Sequence, residues 1–188
     1  MEPDTNYPWG KGNLMIKRFE AEMQPLFDRI LTVNLICSTA VFYAGARIYI
    51  LPKIKELSPQ VLLVPILILH SLRHLGLMFL TRGATYTGMP LQFAYPAAIG
   101  DFITAVLAFI AIPVTVKNLP RWRFLIWVFN IVGTIDLITA ITLATVYGVT
   151  AYMGAAYWIP AFWVPALLVT HYVVFIFLIR QHAGAPVS

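Results

Sequence analysis

Residues 67–80 read LILHSLRHLGLMFL, an apolar run that contains two histidines and one arginine. If this run is a helix that crosses a membrane, its three ionisable groups lie at a depth where water is scarce. Charged groups at such a depth are costly and usually pair with one another or mark a functional path. The stretch therefore predicts both a transmembrane helix and a polar site within it.

The whole chain has the composition of an integral membrane protein. Of its 188 residues, 60% are hydrophobic and only 11% are charged, and the mean hydropathy is +0.78. Soluble domains are about 25% charged. Five apolar segments approach the ~20 residues that cross a hydrocarbon core. We predict an all-α bundle of five transmembrane helices at about residues 30–51, 60–80, 91–116, 124–147 and 158–179.

The segments that flank these spans are predicted to lie outside the hydrocarbon. Residues 1–29 read as a polar tail followed by an amphipathic helix on the membrane surface, because apolar residues recur at three- and four-residue steps. Pro25 is expected to bend the chain before the first span. Residues 30–180 form the predicted five-helix domain, and residues 181–188 form a C-terminal tail.

The distribution of positive charge predicts the orientation. The net charge is +5, but the basic residues stand in short groups beside apolar spans, which is typical of a topology signal and not of nucleic-acid binding. The two turns and the chain end on one predicted side hold Lys53, Lys55, Lys117, Arg121, Arg123 and Arg180. We expect that side to be cytoplasmic and the N-terminus to lie outside, in a membrane of the bacterial inner-membrane type. The expected partners are membrane lipids, a small hydrophobic molecule, and further copies of the chain or a membrane complex.

Ionisable residues of four predicted spans fall at similar depths. At ~1.5 Å per residue, His74 lies ~9 Å below the outer end of its span. The same rise places four more ionisable residues ~15 to 20 Å below the outer ends of their spans: His70, Asp101, Asp136 and His171. His70 and His74 are four residues apart, which places them on one face of an α-helix. We expect one layer of polar side chains that contains His70, Arg73, His74, Asp101, Asp136 and His171.

One interpretation of this layer is a metal centre. Three histidines from two spans would bind zinc or iron, and an aspartate would complete the shell or orient an imidazole. A metal-bound water would then hydrolyse a lipid-like or small hydrophobic substrate. The predicted metal ligands are His70, His74 and His171, and the predicted catalytic residues are Asp101, Asp136 and Arg73, with Arg73 holding an anionic substrate group or an aspartate.

This combination of three histidines and an aspartate within a helix bundle is similar to the intramembrane zinc hydrolases of the ceramidase and adiponectin-receptor kind. The number of spans and the order of the motifs differ from theirs. The resemblance is therefore one of chemistry and not of family.

Two other interpretations stay open. A histidine of the second span and His171 would be the axial ligands of a haem, with Arg73 near a propionate. Alternatively no prosthetic group is present, Arg73 pairs with Asp101, and a histidine pairs with Asp136. Such a network would carry protons, bind a small ligand or fix the helix register. The sequence favours a metal-dependent membrane enzyme, with a haem-bearing electron carrier, a proton-linked carrier or an accessory subunit of a complex as the alternative.

Overall fold

The structure, a computed structural model, describes residues 8–183, with side chains for residues 22–180. No β-strand occurs between residues 8 and 183. Five helical stretches in this range are long and apolar enough to cross a membrane: Glu22–Lys53, Pro59–Leu80, Leu91–Val116, Trp122–Val146 and Gly154–Arg180. The predicted all-α fold with five long apolar helices is therefore confirmed.

The first helix, α1, runs without interruption from Pro8 to Gly45 and contains Pro25. The structure differs here from the prediction, because no break separates a surface helix from a first span near residue 29. The predicted amphipathic face before residue 22 lies outside the described side chains. A π-helical turn at Ala46–Ile50 and a 3₁₀ turn at Leu51–Lys53 then end the first span.

The second span changes its helix type halfway. It begins as an α-helix, α2, at Pro59–Ser71, where the Ser58 hydroxyl accepts a hydrogen bond from the backbone N–H of Val61 at 3.3 Å. This is a capped helix start with proline at the first position. From Leu72 to Leu80 the chain continues as a 3₁₀ segment. A 3₁₀ helix has three residues per turn, so side chains four residues apart no longer share a face in this segment.

The remaining helices are α3 (Leu91–Val116), α4 (Trp122–Val146) and α5 (Val164–Ala183). The α4–α5 connection contains the short helical turns Val149–Tyr152, Gly154–Tyr157 and Ile159–Trp163. It is tied to the loop before α3 by backbone hydrogen bonds, from Tyr86 N–H to the Tyr152 carbonyl and from Ala156 N–H to the Ala84 carbonyl, both at 2.9 Å. These two loops therefore form one joined cover at that end of the bundle.

Helix α1 lies at the edge of the bundle. It packs mainly against α5 and the short turns that precede α5, whereas α3 packs closely against both the second span and α4. Only 11% of the first span is buried, compared with 28% to 56% of the other four. The closed core is therefore formed by the second to fifth spans.

Small residues face the core and large apolar residues face outwards. On α3 the buried positions include Ala94, Ala98, Ala105, Ala108 and Ala111, and the exposed positions include Phe102, Ile103, Val106, Phe109 and Ile110. Small interior residues allow helices to approach closely, as they do in membrane bundles. An outer surface of this kind is unusual for a soluble monomer, whose exposed apolar patches are small.

Candidate functional site

Arg73 is the centre of a buried polar cluster. It lies in the 3₁₀ segment and is 1% exposed. Its Nε donates a hydrogen bond to Oδ1 of Asp101 at 2.7 Å, and its Nη2 donates to Oδ2 of Asp136. Its Nη1 lies 3.3 Å from both the Gly133 carbonyl oxygen and Nε2 of His171. One guanidinium therefore joins the second span to α3, α4 and α5.

The contacts of His171 determine its tautomer. A guanidinium has only donors, so Nε2 of His171 accepts from Arg73. The ring proton is then on Nδ1, which donates to Oδ1 of Asn130 at 2.7 Å. The Asn130 amide donates in turn to the His171 carbonyl oxygen at 3.2 Å. The imidazole is therefore neutral and held on both sides.

Two carboxylates share one guanidinium in this cluster. Arg73 supplies one positive charge, Asp101 and Asp136 supply two negative charges when both are ionised, and His171 is neutral in this arrangement. An uncompensated charge in apolar surroundings is costly. When both aspartates are ionised, the cluster therefore carries one net negative charge, which a proton or a bound cation would neutralise.

Three glycines make room for the ionisable groups. A Cβ atom on Gly76 or Gly100 would collide with a carboxylate, and one on Gly133 would lie 2.6 Å from an imidazole. The pairs are Gly76 with Asp101, Gly100 with Asp136, and Gly133 with His171. The sequence signal for this role is a glycine at a position inside an apolar span.

His70 is buried beside this cluster without contacting Arg73 directly. The Thr170 hydroxyl donates to the Ala166 carbonyl at 2.9 Å, so it accepts from Nε2 of His70, also at 2.9 Å. The ring centroids of His70 and His171 are 4.3 Å apart. Nδ1 of His70 is buried and has no hydrogen-bond partner among the described residues.

His74 does not join the other predicted site residues. It is exposed, and its Nδ1 lies 2.9 Å from the Ser71 carbonyl of its own turn. The change from α to 3₁₀ geometry at Leu72 separates it from the face that carries His70. The α-helical spacing argument for this pair was therefore wrong.

The predicted ligand set of His70, His74 and His171 is not supported. Within residues 22–180, no group of three histidine, cysteine, aspartate or glutamate side chains is arranged to hold a metal ion. The haem interpretation also finds no support in the geometry. The rings of His70 and His171 are in contact, so a macrocycle does not fit between them in this arrangement.

A cavity of about 310 Å³ adjoins the cluster and is lined by α1, α3, α4, the α4–α5 connection and the start of α5. Asp101 lines it near Leu137, which follows Asp136 in the chain. Asp28 and Thr145 line the other part of the cavity. Thr145 is eight residues from Leu137 on α4, which is ~12 Å along the helix. Its walls are mainly apolar, with Leu31, Leu35, Phe93, Ala140, Ile141 and Val164 among them.

Asp28 is held at the loop end of this cavity. Nε2 of Gln24 donates to Oδ1 of Asp28 at 3.0 Å and to the Gly148 carbonyl at 2.9 Å. Gly148 begins the α4–α5 connection, so this contact also ties α1 to the covering loops. The cavity therefore has a carboxylate at each end and apolar walls between them.

Comparison with known proteins identifies the family. Neither the curated proteins nor the solved structures contain a match to this chain. The family described as a domain of unknown function, DUF8737, matches residues 30–179, a range that contains the whole Arg73 cluster. The chain therefore belongs to the DUF8737 family.

Proposed function

We propose that the protein is an integral membrane protein whose N-terminus lies outside and whose C-terminus is cytoplasmic. Five long apolar helices and an outer surface of large apolar side chains support this proposal. Lys53, Lys117 and Arg180 lie at the helix ends opposite the joined loops, and positive residues favour the cytoplasmic side. The Arg73 cluster is then enclosed near the middle of the bilayer.

The proposed role of this protein is to bind a small and mostly apolar molecule that bears a positive charge. As a carrier, it would then release this molecule to another site. The single observation that carries the proposal concerns Asp101. This carboxylate lines an apolar cavity and also belongs to a cluster in which two carboxylates share one guanidinium. A cationic ligand in the cavity would balance the second carboxylate.

Selectivity for such a ligand has two sources: the negative charge of Asp101 and the apolar walls of the cavity. Two opposite charges ~4 Å apart attract by about 4 kcal/mol at an effective dielectric constant of about 20. Each methylene group that leaves water contributes about 0.8 kcal/mol. A ligand with an ammonium group and an apolar body therefore gains from both parts of the cavity.

An anionic substrate group at Arg73 is less favourable. All three guanidinium nitrogens already face carboxylates, a carbonyl or an imidazole. An anion would add a third negative charge beside Asp101 and Asp136. A metal-dependent hydrolase is likewise not proposed, because His74 lies outside the cluster.

A pair of isosteric ligands tests the proposal. Benzyltrimethylammonium and neopentylbenzene have the same shape and differ in one positive charge. Their affinities for purified protein in nanodiscs of neutral lipid are measured by calorimetry, with empty nanodiscs to subtract partitioning. We expect the ammonium compound to bind at least about tenfold more tightly, since a buried charge partner is worth about 2 to 5 kcal/mol.

The variant Asp101→Asn should remove this preference without unfolding the protein. It leaves Arg73 and Asp136 as a balanced pair of charges. The control is Asp28→Asn, which removes the carboxylate at the other end of the same cavity and should leave the preference in place. Equal affinity of the parent for both ligands, or an unchanged preference in Asp101→Asn, contradicts the proposal. If neither ligand binds and Asp101→Asn only lowers stability, the cluster is a structural contact.

A further inference from the structure

A second cavity, of about 440 Å³, lies at the opposite end of the bundle. It is formed where the first span ends beside the C-terminal half of α5, and it is lined by Arg47, Leu51, Pro52, Tyr172, Ile176 and Arg180. None of these residues lines the cavity that contains Asp101. We call this second cavity the arginine groove.

The residues of the groove follow one face of each helix. Tyr172, Ile176 and Arg180 are spaced four residues apart on α5, so the groove extends ~12 Å along that helix. Arg47 and Leu51 have the same spacing at the end of the first span. The groove therefore has cationic groups from both helices and an apolar wall that continues along α5.

The positive charges of the groove have no counter-ion within the described part of the protein. Arg47 and Arg180 are exposed, and no described carboxylate forms an ion pair with either of them. No acidic side chain lines the groove. This differs from Arg73, which has two carboxylate partners.

We propose that the arginine groove binds the phosphate group of an anionic phospholipid. Guanidinium groups recognise phosphate oxygens through paired hydrogen bonds, and basic pockets between transmembrane helices near the cytoplasmic surface are suited to lipid head groups. The apolar wall formed by Leu51, Pro52 and Ile176 lies next to these cations and matches the first part of an acyl chain. Inorganic phosphate would use the arginines alone.

Native mass spectrometry of the detergent-purified full chain tests this proposal. The probes are phosphatidylglycerol, phosphatidylcholine and inorganic phosphate, each titrated separately and in competition. We expect phosphatidylglycerol to bind more tightly than phosphatidylcholine. Each arginine should contribute about fivefold, so Arg47→Gln with Arg180→Gln should weaken phosphatidylglycerol binding about 25-fold.

The matched control is the double variant Lys55→Gln with Lys117→Gln. It removes the same charge from exposed positions at the same end of the bundle but outside the groove. We expect its affinity for phosphatidylglycerol to stay within about twofold of the parent. Circular dichroism checks that both double variants stay folded.

Three results would overturn the proposal. The arginine variant could bind phosphatidylglycerol like the parent, or the lysine variant could lose as much affinity, which would indicate only general surface charge. Displacement of the lipid by inorganic phosphate at equal concentration would show a site for small anions instead. None of these outcomes depends on a ligand at Asp101.

Discussion

Nε of Arg73 donates to Oδ1 of Asp101 at 2.7 Å, and the same Asp101 side chain lines an apolar cavity of about 310 Å³. A buried structural ion pair has no need of an adjoining cavity. A site for a charged ligand needs a fixed group of opposite charge at the wall of a space that the ligand can fill. This relationship is the reason to interpret the cluster as part of a site as well as a contact between helices.

Replacement of Arg73 by glutamine should lower the free energy of unfolding by about 3 to 5 kcal/mol, because it leaves two largely buried carboxylates without their cation. The measurement is reversible unfolding in mixed micelles followed by circular dichroism. The triple variant Arg73→Gln, Asp101→Asn, Asp136→Asn carries no charge in the cluster and should recover most of this loss. A single variant within about 1 kcal/mol of the parent would show that the ion pairs contribute little.

Alanine at Gly76, Gly100 or Gly133 should cost about 1 to 3 kcal/mol each, because the new methyl group displaces an ionisable side chain of the cluster. The matched control is Gly45→Ala, at the end of α1, where an added Cβ meets nothing within 4 Å. That change should be neutral or stabilise the helix by up to about 1 kcal/mol. Thermal unfolding measures all four, and equal effects at the four positions would refute the close contacts.

The histidines should differ in their effect on stability. His171→Ala removes the acceptor for Arg73 and leaves Asn130 without its ring partner, so we expect a loss of about 2 to 5 kcal/mol. His74→Ala changes an exposed side chain and should stay within about 0.5 kcal/mol of the parent. Equal destabilisation by His74→Ala and His171→Ala would contradict the exposed position of His74.

The helical architecture followed from the sequence because hydropathy and length decide it. The third predicted span, residues 91–116, has the same bounds as α3, and the basic turns separate the helices as expected. The continuous α1 was missed because Pro25 was read as a bend. A proline within a long helix removes one backbone hydrogen bond but does not by itself end the helix.

The site was harder to predict than the spans. Charge in an apolar run was sufficient to select Arg73, Asp101 and Asp136, which the structure brings into direct contact. The position of His74 depended on an α-helical spacing that the 3₁₀ segment does not have. The cavity depends on how α1 packs across the other helices, and no local sequence pattern encodes that packing.

The most direct test of the central claim is infrared difference spectroscopy of the parent protein with and without benzyltrimethylammonium. If the cluster lacks one positive charge, a proton supplies it until the cation binds at Asp101. We expect binding to remove the C=O stretching band of one carboxylic acid, and we expect this change to be absent in Asp101→Asn and in Asp136→Asn. Binding of the cation with no change in any carboxylic acid band, or the same change in both variants, would contradict the account.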